Sequence, residues 1–278
     1  MRILVLFAIW LQHNLARAAP KVAIVTGAMG KTGALVYKEL KKRQFVVRGL
    51  VRNASKARDM LDCGACGEAD GIFLGDVTKE ETLVEPMKGT DILMILTSSV
   101  PICDFKTKPP ACHYPEGAYP KDVDWDGTKN QIKAFASQNP AGVVMLCSSM
   151  GTTDPDNFLD KLGNGHTLYY KLNQEAFVLS SGLASTIVKP CGLSDAPAGG
   201  SVLVAGHDDA LPTKTAVARA DVAQVMAEAI ARDALGLRFD LCTQPGGPPA
   251  APTDFGKLLE AAKRPWQRQV HGLVESMV

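Results

Sequence analysis

Apolar and polar positions alternate along this chain in two rhythms. Short continuous apolar runs lie near residues 22–26, 45–51, 72–75, 91–97, 142–148, 185–190 and 237–242. Their length and their Val, Ile and Leu content predict strands buried on both faces. Between them, near 31–43, 79–88, 123–138, 168–182, 219–233 and 253–262, apolar residues recur at helical spacing, which predicts amphipathic helices. Strand and helix take turns, as in a parallel sheet with helices on both faces. There is no internal repeat. The first predicted helix ends in Lys41, Lys42 and Arg43, cations that suit its negative C-terminal end. The least regular stretch, 98–122, carries five prolines. A loop that long inside a compact domain is usually functional or mobile. Because it follows the fourth strand, it is expected to hang over a ligand crevice. Two further Pro/Gly/Ala-rich connections lie at 196–200 and 245–252, and the tail after Ala262 is weakly patterned.

The first strand runs directly into VAIVTGAMGKTG, with glycines at 27, 30 and 33 and a helix after them. A buried strand, a glycine-rich turn and a helix N-terminus make a pyrophosphate site. The first glycine permits the turn, the second lets backbone approach phosphate, and the third lets helix and strand pack closely. The spacing is G-x-x-G-x-x-G rather than the more familiar G-x-G-x-x-G, and three glycines alone also make an ordinary structural turn. The flanking strand and helix favour a dinucleotide, with Gly27, Met29, Gly30, Lys31, Thr32 and Gly33 as its candidate contacts. The second strand selects between dinucleotides. An acid at its end would accept from the ribose 2′-hydroxyl of NAD, but this strand ends in Arg52, with Lys56 close behind. A guanidinium fork suits a 2′-phosphate, so the expected cofactor is NADP. Asp76 and Val77 end the third strand. They are placed to meet adenine, although Asp76 serves equally well as an N-cap for the 79–88 helix. Thr97 and Ser98 end the fourth strand, where backbone and hydroxyls would meet the ribose and diphosphate.

Composition bounds the rest. The chain has 278 residues, is 46% hydrophobic and 21% charged, and carries a formal net charge of +1. It is long enough for one large α/β domain. No basic stripe interleaved with aromatics points to nucleic acid, which also argues against a scaffold or RNA-associated role. Arg2, an apolar run over 3–11 and Ala16-Arg17-Ala18 together resemble a cleavable targeting segment over residues 1–19. A retained hydrophobic extension is the alternative. The apolar run is too short to span a bilayer, so no membrane is expected for the mature form. The seven cysteines are an odd set. Cys147, Cys191 and Cys242 read as buried strand residues. Cys63 and Cys66 form a local disulfide or two idle thiols, and Cys103 and Cys112 pair if the compartment is oxidising. No His, Cys or carboxylate cluster has metal spacing.

Ser148 and Ser149 end the fifth strand, and Lys171 and Glu175 stand one helical turn apart in LYYKLNQEAF. With TGAMGKTG, GLVRN, GDV, ILTSSVP, YPKDVDWDGTKNQIKAF, SSMGTTDPDNFLDKLGNG, ARADVAQVMAEAI and TDFGKLL, these segments resemble the short-chain dehydrogenase/reductase superfamily. The closer likeness is to its atypical plant-type members with an NAD(P)H-binding, NmrA-like domain, from about residue 22 to 259. The resemblance implies a Rossmann-type doubly wound parallel sheet with a small C-terminal substrate lobe, one domain over 20–278, and NADP. It also implies a serine that holds the substrate oxygen, matched here by Ser149, and a lysine that holds the nicotinamide ribose, matched by Lys171. Pro190, in a Pro-Cys-Gly-Leu segment after the sixth strand, would lie near the nicotinamide; a plain strand-ending turn is its other reading.

The superfamily's proton donor is a tyrosine four residues before that lysine. Here the position is Thr167, whose hydroxyl is far too weak an acid to replace a phenol. Tyr169 and Tyr170 are off-register on a helix. His166 has a suitable intrinsic pKa but reads equally as an exposed loop residue. Tyr119, Trp125 and Asn130 are candidates for a pocket wall, with core packing as the alternative for Trp125. The expectation is therefore an NADP-dependent oxidoreductase acting on a small carbonyl or quinone-like substrate. The alternative is a non-catalytic NADP-binding redox sensor. The expected partners are a small-molecule substrate and, as an open option, a second copy of the chain. The N-terminal segment leaves the compartment open between plastid and secreted, or cytoplasmic if it is no signal.

Overall fold

The computed structural model describes residues 20–108, 110–211, 215–244 and 251–268; the expected targeting segment, 1–19, lies outside them. Its centre is an eight-stranded sheet in the spatial order β10-β12-β8-β7-β4-β1-β2-β3. Those strands are β1 (Val22–Thr26), β2 (Val46–Val51), β3 (Ile72–Leu74), β4 (Ile92–Ile95), β7 (Val143–Cys147), β8 (Ala184–Pro190), β10 (Leu203–Gly206) and β12 (Arg238–Thr243). All neighbours are parallel except the edge pair β10 and β12. Ala23, Ile24 and Val25 of β1 and Leu93, Met94 and Ile95 of β4 are sealed from solvent, as strands covered on both faces must be.

Two apolar layers sandwich the sheet. On one face, Val36, Tyr37 and Leu40 of helix α1 (Lys31–Lys42) meet Val222, Met226 and Ile230 of the later helix over Arg219–Ala231. Arg43, just past α1, joins Glu39 at 2.9 Å and Glu228 at 2.8 Å and pins these two helices together. On the other face, Ile132 and Phe135 of Gly127–Gln138 and Val178 of Thr167–Ser180 pack with Leu83 and Met87. The sheet is thus wound in both directions from β1, with β2 on one side and β4 on the other. Thr26 is level with Leu50 of β2 and with Ile95 of β4. The three strands end together, so a crevice opens where their chains diverge.

Several elements depart from the pattern-based expectation. Helix α2 (Ala54–Leu61) was not expected; Asn53 caps it by accepting from the Lys56 N–H. The 79–88 helix breaks into a 3₁₀ turn, Glu80–Thr82, and a single α turn, α3 (Val84–Met87). Pro86, which lacks an N–H, fits only a first helical turn. The irregular 98–122 stretch holds a hairpin, β5 (Ile102–Asp104) and β6 (Ala111–His113), clipped by a Cys103–Cys112 disulfide. Cys63 and Cys66 are also bonded, while Cys147, Cys191 and Cys242 are free. After the hairpin, a wide π-type turn over Lys121–Asp126 feeds α4 (Gly127–Gln138). Next come α5 (Phe158–Lys161) and α6 (Thr167–Ser180). Past β8, a short parallel pair, β9 (Gly192–Ser194) with β11 (Ala216–Ala218), precedes α7 (Arg219–Ala231). Helix α8 (Phe255–Ala261) follows the last strand of the sheet, and residues 265–268 are helical again. No helix among the described residues is long and apolar enough to cross a membrane.

Candidate functional site

A cavity of about 690 Å³ lies over the diverging ends of β1, β2, β3 and β4. Its lining includes Gly27, Met29, Gly30, Arg52, Asp76, Val77, Thr97 and Ser98, so eight of the candidate contacts share one space. The floor is bare backbone because nothing larger fits. Gly27 has φ +68°, and a Cβ on it would stand 2.7 Å from the Leu96 carbonyl oxygen. A Cβ on Gly33, at the start of α1, would overlap the Gly27 carbonyl oxygen. Gly30 is the N-cap of α1 without a capping side chain, and the first turn carries no acid. The leading N–H groups of α1 therefore keep their positive end for an anion. A dinucleotide's diphosphate fits this cradle.

At the opposite rim, Arg52 and Lys56 are exposed. Among the described residues, neither has a salt-bridge partner or an acceptor for its side-chain N–H groups. Asp76 is not the N-cap of the following turn. Its Oδ1 accepts from the Thr78 N–H at 3.0 Å and from the Thr78 hydroxyl at 2.8 Å. Asn130 donates to the Val77 carbonyl at 2.9 Å and so holds this loop from α4. Lys31, Thr32 and Gly33 are not part of the lining; Gly33 acts behind it, where it lets α1 pack against the turn. The Lys31 ammonium pairs instead with Asp195 at 2.7 Å, and Asp195 also meets Arg219. An ion cluster at the surface thereby links the glycine turn to the segment after β9.

Ser149, Lys171 and Pro190 are also outside that lining. Lys171 Nζ lies 2.9 Å from Asp124 Oδ1, and Asp124 Oδ2 accepts from the Ser99 N–H at 2.9 Å. Burial opposes charge on Lys171, but Asp124 outweighs it and holds the amine above its ordinary pKa. The same ammonium lies near Cys147, whose thiol burial pushes up to about 11; that thiol is no nucleophile at neutral pH. Ser149 donates its hydroxyl to the Met150 carbonyl at 2.9 Å, and the Met150 N–H donates to the Pro190 carbonyl at 2.9 Å. Ser149 and Pro190 are therefore neighbours at the ends of β7 and β8. Glu175, one turn beyond Lys171, is buried. It accepts from the Ser148 hydroxyl and pairs with Arg238 at 2.6 Å, which makes it an anchor between α6 and β12.

His166 is an exposed residue with φ +51° ahead of α6, paired with Asp160 at 3.2 Å. Trp125 packs edge-on against Phe177, with Lys129 over its ring, and Tyr119 lies beside Tyr114. Two residues escaped the sequence reading. Asp124 is one of three alternating acids, 122, 124 and 126, and only the π-type turn decides which one points inward. Tyr114 comes from the loop after β6, and its hydroxyl lies 2.6 Å from Thr167 Oγ1.

Comparison with known proteins agrees with this geometry. The profile of the family described as NAD(P)H-binding matches residues 27–233. The chain belongs to that family. Sanguinarine reductase of Eschscholzia californica is 36% identical over 271 residues, a match spanning 87% of this chain and 96% of the relative. An uncharacterized chloroplastic protein of Arabidopsis thaliana is 38% identical over 256 residues, 87% of this chain and 76% of that one. Among solved structures, a putative NAD-dependent epimerase/dehydratase from Bacillus halodurans superposes with a TM-score of 0.67 at 22% identity, covering 87% of this chain and 99% of that chain. This last likeness concerns the fold, and it matches the Rossmann-type reading.

Proposed function

We propose that this chain is an NADP(H)-dependent reductase of a small electrophilic substrate. One observation carries the choice of cofactor. Arg52 and Lys56 stand exposed at the crevice rim, without a carboxylate partner among the described residues, where an NAD-selective protein would place an acid. Two unneutralised cations facing the far ribose suit a 2′-phosphate. The glycine turn takes the diphosphate through backbone N–H groups, and Val77, with Asp76 beside it, flanks the adenine. Thr97 and Ser98 line the path toward the nicotinamide half. When bound, the cofactor supplies hydride. Lys171, fixed by Asp124, is the residue that would hold the nicotinamide ribose, and Ser149 the one that would hold the substrate oxygen. The reductase activity named for the Eschscholzia relative supports turnover here, as against cofactor sensing alone.

The test has two parts. Calorimetric titration with NADPH and NADH reads the cofactor choice; tenfold or greater preference for NADPH is expected, and equal or reversed affinity would overturn it. Stopped-flow oxidation of NADPH with sanguinarine and a quinone panel reads turnover. Oxidation by none of these acceptors, with NADPH firmly bound, would leave the chain a sensor. For its location we propose the plastid, on the strength of the chloroplastic relatives. A fluorescent fusion of the full chain that follows the secretory pathway would refute this.

A further inference from the structure

Tyr114 is a buried phenol, only 4% exposed, in a seat made for its ring. A Cβ on Gly165 would fall within the ring's van der Waals envelope, and one on Gly163 would stand 3.2 Å from the same edge. The two glycines are bare where the ring passes. The hydroxyl at the far end meets Thr167 Oγ1 at 2.6 Å. Thr167 opens α6 and is half-buried. It lies one helical turn before Lys171, on the same face. Pro115 and Ala118, just after Tyr114, line the large cavity. A phenol from a distant loop thus reaches the helical position that lacks one. A tyrosine that served only as packing would gain as much from a backbone carbonyl; this one is joined to a second hydroxyl nearer solvent.

Resting on the reductase reading, we propose that the Tyr114–Thr167 hydroxyl pair is the proton source of this site, for substrates reduced at a carbonyl. Thr167 meets the carbonyl oxygen, and Tyr114 stands behind it as the acid. Hydride and its electron pair arrive from the reduced nicotinamide at the carbonyl carbon, and the C=O π pair moves to oxygen. That oxygen takes the Thr167 proton as Thr167 takes the one on Tyr114. The substrate gains two electrons and becomes an alcohol, the nicotinamide is oxidised by two electrons, and the phenolate recovers a proton from water. Burial keeps Tyr114 protonated at rest by raising its pKa, with Asp124 and Asp160 acting in the same direction; the Thr167 hydrogen bond and the charge on Lys171 oppose them and ease release. A phenol ionises near 10 in water, far more readily than an aliphatic alcohol, so Thr167 works as a conduit rather than as the acid.

The test compares two probes under anaerobic conditions. Phenanthrenequinone needs hydride and proton, whereas N-methylacridinium accepts hydride alone. The quantity read is the ratio of the two kcat values. General acid catalysis is worth about 100-fold or more, so Tyr114→Phe and Thr167→Val should each lower that ratio by about 100-fold. An unchanged ratio in active protein, whether both rates hold or both fall together, overturns the proposal while the reductase reading stands. Wild-type protein that binds NADPH but reduces neither probe overturns both. A second readout needs no turnover. NMR of isotope-labelled tyrosines in the free protein, with Tyr114 assigned through Tyr114→Phe, follows its ionisation. Lys171→Met and Thr167→Val should each raise it by about one pH unit. Indifference to both substitutions also overturns the proposal.

Discussion

Lys171 and Asp124 form a fully interior ion pair, Nζ to Oδ1 at 2.9 Å, with side-chain exposures of 8% and 0%. It ties the middle of α6 to the π-type turn before α4. Through the second Asp124 oxygen it reaches the Ser99 N–H at the cavity wall. One carboxylate therefore fixes a catalytic candidate and the loop above it.

Removing either partner strands the other. Asp124→Leu leaves an ammonium in a dry interior, and breaking a buried pair in this way costs about 3–5 kcal/mol. The double variant Asp124→Leu/Lys171→Met should cost clearly less than the sum of the singles. The pH behaviour has a definite sign. The folded-state pKa of Lys171 lies above its ordinary 10.5. The pair's contribution is therefore complete below that ordinary value and is lost only as pH rises through the elevated one. Urea unfolding of Asp124→Leu, Lys171→Met and the double variant at neutral pH, and of wild type on the alkaline side, checks both statements. Additive single effects under about 1 kcal/mol would contradict them.

Arg52→Ala removes a charged fork from the cavity rim without disturbing any ion pair seen among the described residues. Charge-assisted hydrogen bonds are worth about 1.5–3 kcal/mol, so NADPH affinity should fall about 10- to 100-fold. NADH affinity should change little, because NADH lacks the phosphate. Added salt should narrow the gap, since the rim is solvent-exposed. Titration with both coenzymes at two ionic strengths decides the matter; equal losses for the two would place Arg52 elsewhere in recognition.

The crevice floor was legible in the sequence because it is made of neighbours in the chain. Residues 22–33 carry strand, turn and helix in order, and the missing acid after β2 is visible as Arg52. The parallel sheet followed from continuous apolar runs, since a strand covered on both faces has no polar side to show. What stayed hidden depends on contacts distant in sequence. Tyr114 and Thr167 meet across fifty-three positions, and Asp124 and Lys171 across forty-seven; no local period encodes either meeting. The hairpin inside 98–122 has strands of three residues each, too short for alternation to register. Helix α2 was missed for a different reason. It is only eight residues long, about two turns, and beyond Asn53 as N-cap it has little room for a helical period to show.

The glycine turn should respond to methyl groups in a fixed order. Gly33→Ala places a Cβ onto the Gly27 carbonyl oxygen, and Gly27→Ala combines φ +68° with a Cβ 2.7 Å from the Leu96 carbonyl oxygen. Backbone cannot rotate away as a side chain can, so each should cost about 2–3 kcal/mol or more and abolish detectable dinucleotide binding. Gly30→Ala is milder, with its Cβ 3.1 Å from one carbonyl oxygen. It should reduce affinity and cost less thermal stability than the other two. Thermal melts with and without NADPH separate the two effects; equal behaviour of all three variants would contradict the stated packing.

The interior ammonium of Lys189, with 0% exposure, sits 3.1 Å from Asp209 and 3.4 Å from Asp240. The two carboxylates divide the work. Burial pushes the Asp240 pKa up. Burial acts on Asp209 too, but bonds from Thr153, Gly151 and the Lys189 charge outweigh it and hold Asp209 below its ordinary range. Asp209 also has φ +60°, which asparagine tolerates, so Asp209→Asn tests charge without new backbone strain. A depressed folded pKa means that the carboxylate's stabilisation is full above the ordinary 3.8 and is lost as pH falls through the folded value. Wild type should exceed Asp209→Asn by about 2–3 kcal/mol at neutral pH, and the gap should close as the solution is acidified below the ordinary value. Asp240→Asn is the control of opposite sign. Its raised pKa makes the ionised form a burden, so its gap should not close in that window. Urea unfolding of the three proteins at neutral and acid pH gives the comparison; a gap for Asp209→Asn that ignores pH would show that its carboxylate is not the charged partner of Lys189.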